Sequence, residues 1–194
     1  MTKLLLLAFS VVSLYAYGQN NNREAIDARI DNDDSVEYVK KIISFIKEVR
    51  YQDLADTGFV LSDEPSSLEG LGCIADIRED TAAFTKEELI IIEKRKNPTI
   101  KKWSREVFEN VRFVNSDTIN AILEDTSRGL PFFRSNIGRG FSTFSVPIFL
   151  RNDTYCLFYS DHYDAPLAGG GGLGLYRKEN GKWKIVKYYC FWIS

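Results

Sequence analysis

The stretch Ser160-Asp161-His162-Tyr163-Asp164 gathers the side-chain types that acid–base and metal chemistry use. His162 is the sole histidine of the 194 residues, so any imidazole base or ligand must be this one. A neighbouring carboxylate, Asp161 or Asp164, could orient its tautomer for catalysis or hold it as a metal ligand. The run reads as a strand, and alternation along a strand sends Asp161 to the face opposite Ser160 and His162, while Asp164 shares the face of His162. Regular backbone therefore keeps the four groups from converging. A catalytic zinc site takes three protein ligands, which one histidine with scattered carboxylates does not supply, so no metal is expected. No G-x-S-x-G is present, and Glu124-Asp125 lie on a predicted helix where adjacent side chains diverge by about 100°.

Gly169, Gly171 and Gly174 spell G-x-G-x-x-G. A dinucleotide cradle needs a helix opening from those glycines, because helix N-terminal amides hold the pyrophosphate. Here the run leads into "LYRKENGKWK", a hairpin, and Leu175-Tyr176 stand where a P-loop has Lys-Ser/Thr. The expectation is a flexible loop whose glycines supply positive φ, with no nucleotide and no cofactor.

In that hairpin Arg177, Lys178, Lys182, Lys184 and Lys187 interleave with Tyr176, Trp183, Tyr188 and Tyr189. Such a mixture can track a phosphate backbone and stack its bases, which makes Tyr176, Trp183 and Tyr188 candidate ligand-binding residues. An ordinary two-faced strand uses the same letters, with Lys182 and Lys184 outward, Trp183 and Ile185 inward, and lysine blunting an exposed edge. Nucleic acid is not the expected partner of an exported chain. The aromatic residues, dense after residue 132, read as core, with a carbohydrate-stacking face as a lesser option.

Export is read from the first residues. Lys3 precedes an apolar run over residues 4–17, and Ala16 and Gly18 occupy the small-residue positions of a signal-peptidase site. The run is too short for a bilayer, which needs about 20 apolar residues. The expected mature chain is residues 19–194, periplasmic or secreted, with no membrane span after cleavage between Gly18 and Gln19. Residues 19–34 read as a polar lead-in, and 35–194 as a single α+β domain. Residues 19–100 carry 18 acidic and 11 basic side chains, whereas residues 101–194 carry 9 and 13. That asymmetry fits two halves packed against each other better than an acidic partner for the second half. Cys73, Cys156 and Cys190 make one disulfide and one free thiol the simplest arithmetic in an oxidising compartment. Cys156 and Cys190 both fall in strand-like runs and are the expected pair, with Cys73 free and buried. No C-x-x-C occurs, which removes the usual redox and zinc patterns.

The elements that must position these groups follow from periodicity. Val36, Val39, Ile42, Ile43, Ile46 and Val49 recur at helical spacing, with Asp34 or Ser35 as cap. "TGFVLSD" and "LGCIADI" read as short strands. Thr85 and Glu88 have capping-box spacing, opening a helix that stops before Pro98; Ile100, Trp103 and Val107 suggest another. "VRFV" reads as a strand, Ser116 caps a helix that stops at Gly129, and "PFFRSNIG" is one more short helix. From residue 140 strands dominate, with hairpin signals at Asn152-Asp153 and Asn180-Gly181 and an edge or bulge at Pro147. The fold class is α+β: a helical part over about 35–138 packed on an antiparallel β-meander over about 140–193.

"VNSDTINAIL", "FSVPIFLRNDTYCLFYS" and "GLGLYRKENGKWKIVKYYCFWIS" resemble a group of small, uncharacterised exported proteins of Gram-negative bacteria, over roughly residues 85–194. The resemblance implies secretion and a shared fold and carries no activity. Members of that group often have C-G-x-x-C-G where this chain has "DAPLAGG", so a disulfide or metal role of that turn does not transfer. "LYRKENGKWKIV" alone also resembles the closing strands of the nuclear transport factor 2-like cone, an alternative fold. The functional expectation is an exported, non-catalytic binding or interaction module. The alternative is a small hydrolase or metal-dependent enzyme centred on His162.

Mass spectrometry of the exported protein is expected to find Gln19, free or cyclised, at the N-terminus. Intact Met1 in the exported fraction would refute the cleavage.

Overall fold

The computed structural model describes residues 36–103, 105, 107–125, 129–165 and 168–194. The expected signal peptide, its cleavage point, the polar lead-in and the Asp34 or Ser35 cap lie outside the described residues. Helix α1 spans Val36–Val49 and buries Tyr38, Ile42, Phe45 and Ile46. Its apolar stripe is rotated from the one expected: Val36 is exposed, and the aromatic Tyr38 and Phe45 enter the core. Helix α2 (Tyr51–Ala55) and strand β1 (Val60–Ser62) follow.

"LGCIADI" is not a strand. Helix α3 spans Cys73–Glu79 from Gly72 (φ 72°), and Cys73, Ile74 and Ile77 form one buried helical face. A short apolar run is ambiguous by periodicity alone, and here the i, i+1, i+4 pattern belongs to a helix. Helix α4 (Lys86–Arg95) has the expected capping box. The Thr85 side chain accepts from Glu88 N at 3.2 Å, and Thr85 N donates to the Glu88 carboxylate at 2.8 Å. The described residues around Ile100, Trp103 and Val107 form no helix; Trp103 is buried and its backbone N–H donates to the Asp63 carbonyl at 2.8 Å. After β2 (Arg112–Val114), α5 runs Ser116–Glu124, capped by Asn115 rather than Ser116. Gly129 (φ 53°) opens α6 (Gly129–Asn136) rather than ending α5.

Strands β3 (Phe141–Phe144) and β4 (Ile148–Leu150) both pair with the same side of β5 (Tyr155–Ala165), and Pro147 lies in the break between them. Strands β6 (Ala168–Glu179) and β7 (Lys182–Ile193) complete a mixed sheet in the order β2-β1-β3-β5-β6-β7. The antiparallel meander is therefore extended by β1 and β2, which pair in parallel. Asn180 (φ 52°) and Gly181 (φ 81°) make the expected tight turn. The glycine run is strand, not loop, and its glycines lack positive φ. What they supply is proximity: a Cβ on Gly171 would stand 2.5 Å from the Asp161 Cβ and 2.9 Å from the Trp192 indole nitrogen.

Helices cover both faces of the sheet. On one, Leu157, Tyr159, Leu173, Leu175 and Tyr189 pack under α3 and α4. On the other, Cys156, Phe158, Phe144 and Phe149 pack under α1. Phe45 of α1 meets Phe149, Phe158, Tyr176 and Trp183 edge-on at 5.1–5.8 Å, an arrangement that aromatic quadrupoles favour. Helices α5 and α6 close the β1–β3 end over Val60 and Phe141. Among the described residues no helix is long and apolar enough to cross a membrane.

The disulfide joins Cys73 to Cys190 (Cα–Cα 5.1 Å), and Cys156 is the free, buried thiol. The expected Cys156–Cys190 pair is excluded by the sheet itself. Strand β6 lies between β5 and β7, which puts them about 10 Å apart, beyond the ~7 Å that a disulfide spans. Cys156 also faces α1, while Cys190 packs with the α3 side. Burial pushes the Cys156 thiol well above its ordinary pKa. Non-reducing peptide mapping is expected to show a Cys73–Cys190 crosslink. Replacing both cysteines by alanine should cost about 2–5 kcal/mol, read from denaturant unfolding. A crosslink that contains Cys156 would contradict the pairing.

Candidate functional site

Strand β5 places its chemical groups on opposite faces. Asp161 pairs across the ladder with Thr143 and Gly171, and His162 with Ser142 and Gly170. Asp161 is buried and fully engaged. One carboxylate oxygen accepts from Thr143 N at 2.9 Å and from the Thr143 hydroxyl at 2.8 Å. The other accepts from the Tyr159 hydroxyl at 3.0 Å, which in turn accepts from the Trp192 indole N–H at 3.2 Å. Burial raises the Asp161 carboxyl above its usual range despite these donors, and burial likewise raises the Tyr159 hydroxyl. On the opposite face, His162 Nδ1 is 2.9 Å from the Ser142 hydroxyl, and the Ser160 hydroxyl is 3.4 Å from the Arg50 guanidinium. Asp164 pairs with Arg134 at 3.5 Å, both about half exposed. Strand alternation puts Asp161 on the face opposite Ser160 and His162, and Ser160, His162 and Asp164 are each drawn to a different partner, Arg50, Ser142 and Arg134. Among the described residues no group of three or more His, Cys, Asp or Glu side chains is placed to hold a metal ion.

The aromatic candidates separate as well. Tyr176 and Trp183 pack on Phe45 beneath α1, and burial pushes the Tyr176 hydroxyl up to about 12. Tyr188 is 54% exposed, and Ile185, Phe191 and Ile193 accompany it at 37%, 58% and 74%. Two register shifts in β7 put these four on one face. Ile185 pairs with Tyr176 and Tyr188 with Gly174, so one extra residue separates them; a second shift follows Tyr189, where Cys190 has φ 43°. A bulge re-aims the side chains that follow it, which is why alternation read from the letters misses Phe191 and Ile193 as neighbours of Tyr188. The Tyr188 and Phe191 rings are 5.6 Å apart, and both lean over Gly172, whose Cβ would meet them at 3.5 and 3.4 Å. The missing side chains of β6 let these rings lie down against the sheet.

A cleft of about 320 Å³ lies elsewhere, between α1, α4 and β4, lined by Tyr38, Lys41, Arg95 and Arg151 among others. Lys41 is neutralised by Asp153 at 2.5 Å and Arg151 by Glu88 at 2.7 Å. None of Asp161, His162, Asp164, Tyr188 or Phe191 lines it. Comparison with protein-family models, curated proteins and solved structures finds no match.

The raised carboxyl of Asp161 carries a pH signature. A carboxyl whose folded pKa lies above its unfolded value contributes stability that is complete below the unfolded pKa and lost as pH rises through the folded one. Relative to Asp161→Asn, the wild-type chain should therefore lose stability as pH climbs out of the ordinary carboxyl range, measured by denaturant midpoints. A wild-type advantage that grows with pH would show the reverse shift.

Proposed function

We propose that this chain is an exported, non-catalytic binding or interaction module whose contact surface is the β7 face. The carrying observation is the row Ile185, Tyr188, Phe191 and Ile193, apolar, contiguous and between 37% and 74% exposed. Exposed apolar patches of this kind mark contact sites, because leaving them in water forgoes the gain of burial. The Cys73–Cys190 disulfide supports export, since such bonds persist in oxidising compartments, and it ties the middle of the contact strand to α3. The separation of Asp161, His162 and Asp164 supports a non-catalytic role, because catalysis needs such groups to converge on one reacting atom. Tyr188 is the contact residue among the aromatic candidates, while Tyr176 and Trp183 serve the core. Residues 35–194 act in this reading as one α+β domain that presents the face.

A photo-reactive benzoylphenylalanine tests the reading in the oxidising compartment. Placed at 188 it should give a discrete adduct; placed at Ile90, an equally apolar exposed site on α4, it should not. The adduct should survive His162→Ala. Equal labelling at both positions, or its loss in a folded His162→Ala protein, would overturn the proposal.

A further inference from the structure

We infer that the occupant of the β7 face is a second copy of this chain, packed β7 against β7 across a two-fold axis; the inference rests on reading that face as a contact surface. Among the described residues β7 is the outermost strand of the sheet, and no described strand lies beside the outer backbone edge of its twelve residues. Lys182, Lys184 and Lys187 guard only the half nearest the Asn180-Gly181 turn. Residues 188–193, Tyr-Tyr-Cys-Phe-Trp-Ile, carry no charge and no proline. An uncharged aromatic run on an open edge invites pairing with other chains, and proteins that keep such a run cover it.

The sheet's two ends decide what kind of cover is possible. The opposite edge is β2, only three residues long, so a head-to-tail contact would match a twelve-residue strand with a short stub. Head-to-tail contacts also propagate into filaments unless they close. Of the two edge contacts open to β7, the one with itself pairs like lengths and closes at two copies. A two-fold axis perpendicular to the strands sets them antiparallel and places the lysines of the two copies at opposite ends of the contact, whereas an axis along the strands would set Lys182, Lys184 and Lys187 against their own counterparts.

An aromatic side chain carries about 150–250 Å², so the exposed portions of Ile185, Tyr188, Phe191 and Ile193 amount to roughly 330–560 Å² per copy. Complete cover of both rows removes about 700–1,100 Å², and the paired β7 edges add to it, which brings the contact to the scale of about 1,000 Å² that a specific interface needs. The surface is also held in place beforehand. Cys190 is fixed to Cys73 at the second bulge, and the neighbouring Lys187 and Tyr189 both donate to Asp80, at 2.5 and 2.6 Å. Less ordering is then left to be done on association.

Sedimentation velocity on the mature chain with its disulfide intact is the test. The wild-type protein should approach twice the protomer mass as concentration rises through the micromolar range. Phe191→Glu should weaken the dimer at least about 100-fold, because each substitution enters a two-fold interface twice. Circular dichroism and disulfide mapping confirm its fold. Tyr188→Cys should form an interchain disulfide that Ile90→Cys does not. A dimer unaffected by Phe191→Glu, or protomer mass at every concentration, overturns the inference. Protomer mass together with a photo-adduct from 188 to a different protein leaves the contact-surface reading standing, whereas protomer mass without any adduct removes both.

Discussion

Strand β6 gives up its side chains at Gly169, Gly170, Gly171, Gly172 and Gly174, and much of the molecule's arrangement depends on that concession. Each glycine inside a strand costs about 0.5–1 kcal/mol in chain entropy relative to alanine. What offsets the cost is contact between groups that side chains on β6 would hold apart. On one face, Trp192 reaches across Gly171 to the Tyr159 hydroxyl, which donates to Asp161. On the other, Tyr188 and Phe191 recline over Gly172. The strand remains paired on both sides, to β5 and, apart from two register shifts, to β7, while its surface is lent to its neighbours.

Two carboxylates show how differently this sheet treats charge. Asp161 lies within it, where burial favours the neutral acid even with three donors in place. Asp80, at the end of α3, is held down to about 2, chiefly by the hydrogen bond from Lys187 and then by that from Tyr189. The first links β3, β5 and, through Tyr159, Trp192 of β7; the second, with the disulfide, staples α3 to β7. Both act on the strand that carries the exposed row, one through Trp192 and the other through Lys187 and Tyr189.

Features set by near neighbours in sequence were legible in the letters. The Thr85–Glu88 capping box, the Asn180-Gly181 turn and the helical spacing of Ile42 and Ile46 each depend on contacts within a few residues. Features set by distant partners were not. Helix α3 depends on the sheet that Cys73, Ile74 and Ile77 pack against, and the same letters also fit a strand. The glycines of β6 look like slack until Trp192 and Phe191 are seen lying on them. Cys156 and Cys190 share a strand-like context, and only the intervening β6 and the opposite facing separate them. The separation of Asp161 from His162 was legible because alternation is local. The gathering of Tyr188 with Phe191 was not, because a bulge belongs to a pair of strands rather than to one.

The charge asymmetry between the two halves finds its partners within the chain. Glu88 of α4 takes Arg151 of the β4–β5 turn, and Asp80 takes Lys187 of β7, each an acidic group of the first half meeting a basic group of the second. Glu48 of α1 accepts the backbone N–H of Trp183 at 2.6 Å, at the start of the same strand. Within the hairpin, Glu179 takes both Arg177 and Lys184. These bonds absorb much of the positive charge that made the hairpin look like a grip for a polyanion. What β7 offers outward is then chiefly apolar area beside a few lysines, and a surface of that kind selects by shape and burial rather than by long-range attraction.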